Sequence, residues 1–132
     1  MPRKCPQGGR QATLDAVLAG EVQAVIKLDV EGYETEVLGG AERTLSAPGL
    51  LAVVMDLNGS GARYGFDDAA LHRRMLEVGF TACGYEPFAR RLAPLAEGPK
   101  GTGNTLYVRD LEALRERVRT ARRFRLGTGV AL

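Results

Sequence analysis

Two short polar runs stand directly after apolar, strand-like segments of the chain. Asp29 and Glu31 follow the first of these segments, and Asp56 and Asn58 follow the second. In open α/β sheets, ligands bind beyond the carboxyl ends of the strands, so both runs are expected at one rim of a sheet. Carboxylates there can act as a general base, supply oxygen ligands to a divalent cation, or accept hydrogen bonds from the hydroxyl groups of a ligand.

The spacing of the first run bears on its role. Asp29 and Glu31 are two residues apart, so their side chains project to the same side as long as the chain stays extended. A structural role is the alternative for Glu31 and Glu34, because acids at the start of a helix complement its dipole and cap free N–H groups.

Apolar periodicity supplies the elements that must hold these residues. Near-continuous apolar runs predict buried strands covered on both faces, and a change of period at Tyr33 predicts one helix through Leu45. The strands are predicted at 24–29, 50–55, 80–85 and 104–108, and two further helices at 68–78 and 110–124. No helix connects the last two strands, so they are expected to pair antiparallel at an edge; residues 86–103 form a long loop. This order predicts an α/β fold.

Length and composition narrow the class of protein. The chain has 132 residues, 45% of them hydrophobic, and two cysteines without metal-ligand spacing. These values predict a single α/β domain over residues 12–126, between a disordered start at 1–11 and a tail at 127–132. No apolar run is long enough for a membrane span or a signal core, so a cytoplasmic chain without a metal site or a membrane partner is expected.

Basic residues are concentrated near the end of the chain. Residues 109–125 contain seven arginines against three acids. Clustered cations can bind nucleic acid through its phosphates, but the main body is acidic and lacks a platform of aromatic side chains for stacking bases. We therefore expect the last helix to pack on the sheet and show its arginines to solvent, with no nucleic-acid partner.

The run Ile26-Lys27-Leu28-Asp29-Val30-Glu31-Gly32-Tyr33-Glu34, continuing through Val37-Leu38-Gly39-Gly40-Ala41, resembles the signature of FkbM-type methyltransferases. The resemblance extends over about residues 12–110. It implies an S-adenosylmethionine-dependent enzyme with a Rossmann-like sheet, which methylates a hydroxyl group of a sugar or secondary metabolite. By resemblance, Asp29 and Glu31 are catalytic residues. Asp29, Val30 and Gly32 then contact the methyl donor, and Asp56, Asn58 and Asn104 contact the acceptor.

The chain departs from this family pattern before Ala24. The first strand with its glycine-rich turn, and the second strand that ends in an acid for the donor ribose, have no counterpart there. The resemblance therefore implies the C-terminal half of the domain, with the N-terminal strands 1–3 missing. An exposed edge of strand 24–29 is then expected to favour self-association.

Two other functions stay open. Gly59, Gly61 and Gly65 follow a strand and could form a dinucleotide loop, although the usual fingerprint is incomplete and the two acids that follow would repel a pyrophosphate. The chain could also be a non-catalytic remnant or an association module. His72, the single histidine, is expected to be structural or to face solvent.

Overall fold

The computed structural model describes residues 10–131. They form a five-stranded mixed sheet flanked by helices. The elements follow in the order α1 (Leu14–Leu18), β1 (Val25–Leu28), α2 (Glu34–Gly39), α3 (Glu42–Ser46), β2 (Ala52–Asp56), a 3-10 helix (Ser60–Tyr64), α4 (Asp68–Glu77), β3 (Thr81–Glu86), β4 (Arg91–Pro94), β5 (Asn104–Val108) and α5 (Leu111–Thr120). The predicted disorder of the first nine residues, and Cys5 among them, lies outside the described part of the chain.

The strand order is β1-β2-β5-β3-β4. β1 and β2 are parallel, and β5 lies antiparallel to both β2 and β3. The α/β class and the antiparallel pairing of the last two predicted strands are confirmed. Two details of the prediction are wrong: β4 arises within the segment expected to be a loop, and the pair of β3 and β5 lies inside the sheet, since β5 also pairs with β2 and β4 forms the edge beside β3.

The helices α1 to α4 cover one face of the sheet. Apolar side chains from that face and from the helices form one core, which is buried from solvent; its members include Leu38, Leu45, Leu50, Met55, Leu57, Met75, Phe80 and Tyr107. The alternation of side chains along a strand puts the neighbours of Met55 and Tyr107 on the opposite face. A smaller buried set lies there, consisting of Ala52, Cys83, Leu92 and Val108.

The helix predicted over residues 33–45 is divided into α2 and α3. The break falls at Gly40 and Ala41, where Gly40 N donates to carbonyls in the last turn of α2. Gly40 also lies close to Thr13, because a Cβ placed at Gly40 would come within 2.9 Å of Thr13 Cβ. A glycine here permits close packing of α1, at the cost of a continuous helix.

Asp15 joins α1 to the start of α3. Its carboxylate accepts hydrogen bonds from Arg43 N at 2.9 Å, Thr44 N at 2.8 Å and the Thr44 hydroxyl at 2.6 Å. These bonds cap the otherwise open N–H groups of a short helix. They also hold the pKa of Asp15 below its usual value, with the Thr44 hydroxyl as the largest cause.

The last helix is shorter than predicted, and Arg109, which lies just before it, is partly buried. The helix α5 ends at Thr120, so Phe124 is not part of its apolar face and is 72% exposed. Arg109 does not face solvent: its guanidinium donates to the carbonyl oxygens of Leu50 and Leu45 and lies 4.4 Å from the ring centre of Phe80. Arg109 thus connects α3 to the start of β2, at the ends of the strands opposite the predicted rim.

β1 is only partly covered. Leu28 is buried, but Val25 is 54% exposed and Lys27 is exposed beside it on the face opposite the helices. The prediction of a strand covered on both faces is therefore wrong for β1. Within residues 10–131, no helix is long and apolar enough to cross a membrane.

Candidate functional site

A tight turn follows β1 and sets the position of the first acidic run. Glu31 has a φ of +53° and Gly32 a φ of +104°, so the extended chain ends at Val30. The expectation that Asp29 and Glu31 project together from an extended segment is therefore wrong for Glu31. The buried Glu34 holds the turn, because its Oε1 accepts a hydrogen bond from Val30 N at 3.2 Å. This is the capping role expected for an acid at the start of α2.

The turn packs directly on the loop after β2. A Cβ on Gly32 would lie 2.7 Å from the carbonyl oxygen of Ser60, a distance at which no side chain fits. Arg63 stabilises the contact between the two loops, because its guanidinium donates to Glu31 O at 3.1 Å and to Ser60 O at 3.4 Å. The two loops thus form a single junction at the rim of the sheet.

Arg63 was not among the predicted site residues. Its position in a glycine-rich stretch gave no periodic signal, and the peptide oxygens that it binds cannot be identified from sequence. Beside it, Tyr33 and Tyr64 pack with ring centres 4.1 Å apart, and the Arg63 guanidinium lies 5.7 Å from the centre of the Tyr64 ring. Tyr33 is 42% exposed, so an aromatic surface borders the acidic rim.

The register of three neighbouring strands relates three of the predicted residues, Asp29, Asp56 and Asn104. Asp56 is paired with Asn104 in the antiparallel register of β2 and β5. The parallel register ends with Leu28 opposite Met55, which places Asp29 beside Asp56 at the next position. Adjacent strands lie about 4.8 Å apart, so Asp29, Asp56 and Asn104 form a row on one face of the sheet. We call this row the rim triad.

Asp56 has one satisfied and one open carboxylate oxygen. Its Oδ2 accepts a hydrogen bond from Asn58 Nδ2 at 3.3 Å, and Asn58 Oδ1 in turn accepts from Ser60 N at 3.0 Å. Its Oδ1 is buried and has no hydrogen-bond partner among the described residues. Buried polar atoms are normally paired, so an open oxygen at a rim is available to a donor from a ligand.

The remaining predicted residues occupy the border of the triad. Asp29 Oδ2 lies 3.3 Å from Lys27 Nζ in a solvent-exposed ion pair. Val30 is half-buried, Gly32 is buried in the junction of the two loops, and Glu31 is exposed with its peptide oxygen held by Arg63. No group of three or more metal-ligating side chains occurs in the described segment.

The glycine-rich loop is already occupied by an internal carboxylate. Gly59 N donates to Asp68 Oδ2 at 2.9 Å, and Asp67 caps α4 by accepting from Ala69 N. A phosphate-binding loop needs free N–H groups at a helix start. The structure thus offers no support for a dinucleotide site at Gly59, Gly61 and Gly65, since the Gly59 N–H is taken and the next helix begins with two acids.

His72 lies away from the rim triad, against the buried sheet. Its Nδ1 is 2.9 Å from the Tyr107 hydroxyl. Burial raises the pKa of Tyr107 well above its usual value, with a further contribution from the charge of Asp68. This pair borders a cavity of about 220 Å³ that is also lined by Leu57 and Glu97. The expected structural role of His72 agrees with its hydrogen bond.

A larger cavity of about 320 Å³ lies between α2, the loop before α4 and α4 itself, lined by residues such as Leu38, Phe66 and Arg74. Neither this cavity nor the one beside His72 is lined by Asp29, Glu31 or Asp56. The rim triad therefore belongs to neither cavity; the side chain of Asp29 is exposed, whereas Oδ1 of Asp56 is buried.

Comparison with known proteins gives one match. A family model described as the methyltransferase FkbM domain matches residues 10–87, which include β1, β2 and both loops of the junction. Neither a curated protein nor a solved structure gives a significant match. Since the match covers more than half of the chain, the protein belongs to the FkbM-domain methyltransferase family.

Proposed function

We propose that the rim triad binds a hydroxyl-bearing acceptor and directs S-adenosylmethionine-dependent O-methylation of that hydroxyl. The observation that carries the proposal is the buried, unpartnered Oδ1 of Asp56 in line with Asp29 and Asn104. A carboxylate oxygen accepts and does not donate, so the group that satisfies it must be a donor such as a hydroxyl.

Each member of the triad has a distinct part in this proposal. Asp56 Oδ1 accepts a hydrogen bond from one acceptor hydroxyl and fixes its direction. The exposed Asp29 carboxylate takes the proton of the reacting hydroxyl as a general base. Asn104 supplies both a donor and an acceptor to a neighbouring hydroxyl group. Tyr33 offers an aromatic face to the apolar side of the acceptor at the border of the site.

The residues present fit the reacting end of such a donor. When bound, S-adenosylmethionine would supply a methyl group, carried on a positively charged sulfur, to the acceptor oxygen. The carboxylates of Asp29 and Asp56 are complementary to that positive charge. Neither of the two cavities described above is lined by these acids.

The first test is calorimetric titration of S-adenosylmethionine into the purified chain, followed by transfer of a labelled methyl group to a panel of polyols. We expect Asp29→Asn to abolish transfer and Asp56→Asn to raise KM for the acceptor. Asp110→Asn is the matched control, since it replaces an acid at the start of α5 by another good helix cap. Full transfer by Asp29→Asn would rule out the role given to that carboxylate.

The second candidate is a non-catalytic remnant or association module of the same family. It is favoured by the open edge and partly uncovered face of β1, which a partner could cover. A folded chain that shows no heat with S-adenosylmethionine but forms a defined oligomer would support this function. Binding of the donor together with methyl transfer would support the enzyme.

A further inference from the structure

Two basic segments without acids lie side by side in the structure. Residues 87–96 contain two arginines and residues 117–131 contain five, and neither segment contains an aspartate or a glutamate. The first segment includes the turn between β3 and β4, and the second includes the end of α5. Arg90 joins them, because its guanidinium donates to Ala121 O at 2.6 Å and to Arg122 O at 3.2 Å. We call the two segments together the basic surface.

Most of the positive charge on the basic surface is not neutralised within the described chain. Arg91 is paired with Glu86, and Arg119 with Glu116. Four other arginines are exposed and have no acidic partner among residues 10–131: Arg117, Arg122, Arg123 and Arg125. A cluster of cations without internal partners attracts an anionic partner.

Two phenylalanine side chains are exposed on the same surface. Phe88 is 68% exposed and Phe124 is 72% exposed. Phe88 lies in the turn that is closed by the hydrogen bond from Arg90 N to Pro87 O at 3.3 Å. Phe124 follows two positions after Arg122, whose carbonyl oxygen Arg90 binds. The contact made by Arg90 therefore brings the exposed rings to the same region as the unpaired arginines.

The shape and composition of this surface favour a lipid bilayer over nucleic acid. Proteins that bind single strands follow the backbone in a basic groove and stack successive bases on aromatic rings. Neither of the two cavities is lined by residues of the basic surface, and its further exposed apolar side chains, Leu126 and Val130, are aliphatic and cannot stack on bases. A bilayer needs no groove, because arginines bind anionic headgroups while apolar side chains enter the boundary between headgroups and acyl chains.

We propose that the basic surface binds the surface of an anionic lipid bilayer, with Phe88 and Phe124 inserted among the headgroups. The expectation of no membrane partner depended on the lack of a spanning segment, and a peripheral contact needs none. The proposal is independent of methyl transfer, because no residue of the rim triad belongs to the basic surface.

Sedimentation of the whole chain with lipid vesicles tests the charge. We expect binding to phosphatidylcholine vesicles that contain about one-third phosphatidylserine, and none to phosphatidylcholine alone. Raising the salt from about 0.1 M to about 1 M shortens the Debye length to about 3 Å and should release the protein. Each arginine near the bilayer contributes about fivefold to the partition coefficient, so Arg122→Gln with Arg123→Gln should lower it about 25-fold. The control pair Arg73→Gln with Lys100→Gln removes the same charge at exposed positions elsewhere and should change it less than about twofold.

Fluorescence tests whether the phenylalanine rings enter the bilayer. The chain has no tryptophan, so Phe88→Trp introduces a single emission signal. With the anionic vesicles, this emission should shift to shorter wavelength and be quenched by brominated lipid. Leu76→Trp is the control, because Leu76 is 46% exposed on α4, among the helices of the other face, and its emission should not change.

Circular dichroism of each variant separates loss of binding from loss of the fold, and all of the replaced side chains are exposed. No binding to the anionic vesicles, equal binding to the neutral ones, or full binding by the natively folded Arg122→Gln, Arg123→Gln variant would overturn the proposal. Unchanged emission from Phe88→Trp in the bound protein would overturn the insertion of that ring. Tighter binding to RNA than to the anionic vesicles would overturn the choice of partner and assign the surface to nucleic acid.

Discussion

The contact between Gly32 and Ser60 makes a quantitative prediction for Gly32→Ala. Gly32 has a φ of +104°, which costs a residue with a Cβ about 1–2 kcal/mol. The new Cβ would also lie 2.7 Å from Ser60 O and 2.9 Å from Gly61 N, and these are backbone atoms that cannot rotate away. Forcing such an overlap adds about 1–2 kcal/mol. We therefore expect the free energy of unfolding to fall by about 2–4 kcal/mol.

Urea unfolding followed by circular dichroism measures this loss. With a slope of about 2 kcal/mol per molar urea, the midpoint should fall by about 1–2 M. Two other glycines separate the two causes. Gly65→Ala has a φ of +80° but open space around the new Cβ, so it carries the conformational cost alone, about 1 kcal/mol. Gly39→Ala carries neither cost and should stabilise α2 slightly, by at most about 1 kcal/mol.

The comparison between variants decides whether the junction is as close as described. If Gly32→Ala loses no more stability than Gly65→Ala, then the contact with Ser60 contributes nothing and the two loops are not held together there. If the loss is larger, Gly32 is required for packing the rim of the sheet, whatever ligand the rim binds.

Three further predictions concern titrating groups. The pKa of Asp15 lies below its usual 3.8, chiefly because the Thr44 hydroxyl binds its carboxylate. The contribution of this carboxylate to the stability of the fold is therefore complete above 3.8 and is lost as the pH falls through the lower native pKa. An NMR titration of the carboxyl group would show the lowered pKa, and unfolding at several pH values with Asp15→Asn as control would show the loss of stability. Burial raises the pKa of Tyr107 above 10, so Tyr107 ionises at a lower pH in the unfolded chain than in the native protein. The free energy of unfolding should therefore decline as the pH rises past 10, and this decline should be smaller in Tyr107→Phe. Burial also raises the pKa of the Cys83 thiol, so iodoacetamide should modify Cys83 only after unfolding, as read by peptide mass spectrometry; rapid modification in the native state would contradict this.

Apolar patterning predicted these strands well because strands that are buried in a sheet are encoded by nearly continuous runs of apolar residues. The segments expected at 24–29 and 104–108 contain β1 and β5, and those expected at 50–55 and 80–85 overlap all but the last residue of β2 and β3. The strand β4 was missed because it lies in a proline- and glycine-rich segment and has a single buried residue, Leu92. Its pairing with β3, which no local pattern encodes, makes it a strand.

The candidate site was predicted in part for a similar reason. Asp29 and Asp56 follow parallel strands, and neighbouring parallel strands bring their ends together whatever the loops do. The conformation of Glu31 was not predictable, because its left-handed backbone depends on a long-range contact with Arg63 that sequence spacing does not show. Residues positioned by strands were thus easier to find than those positioned by the contact of two loops.

The location of β5 has a consequence for how the chain acquires its fold. The segment matched by the family ends at residue 87, yet the strand between β2 and β3 is formed by residues 104–108. A chain that emerges from the ribosome only as far as the family match has two parallel-running strands with a gap between them, each with an unpaired inner edge. Such edges favour pairing with other chains, so β5, the last strand among the described residues, also closes two edges at which aggregation could start. Expression trials should therefore keep residues 104–108 in every truncation.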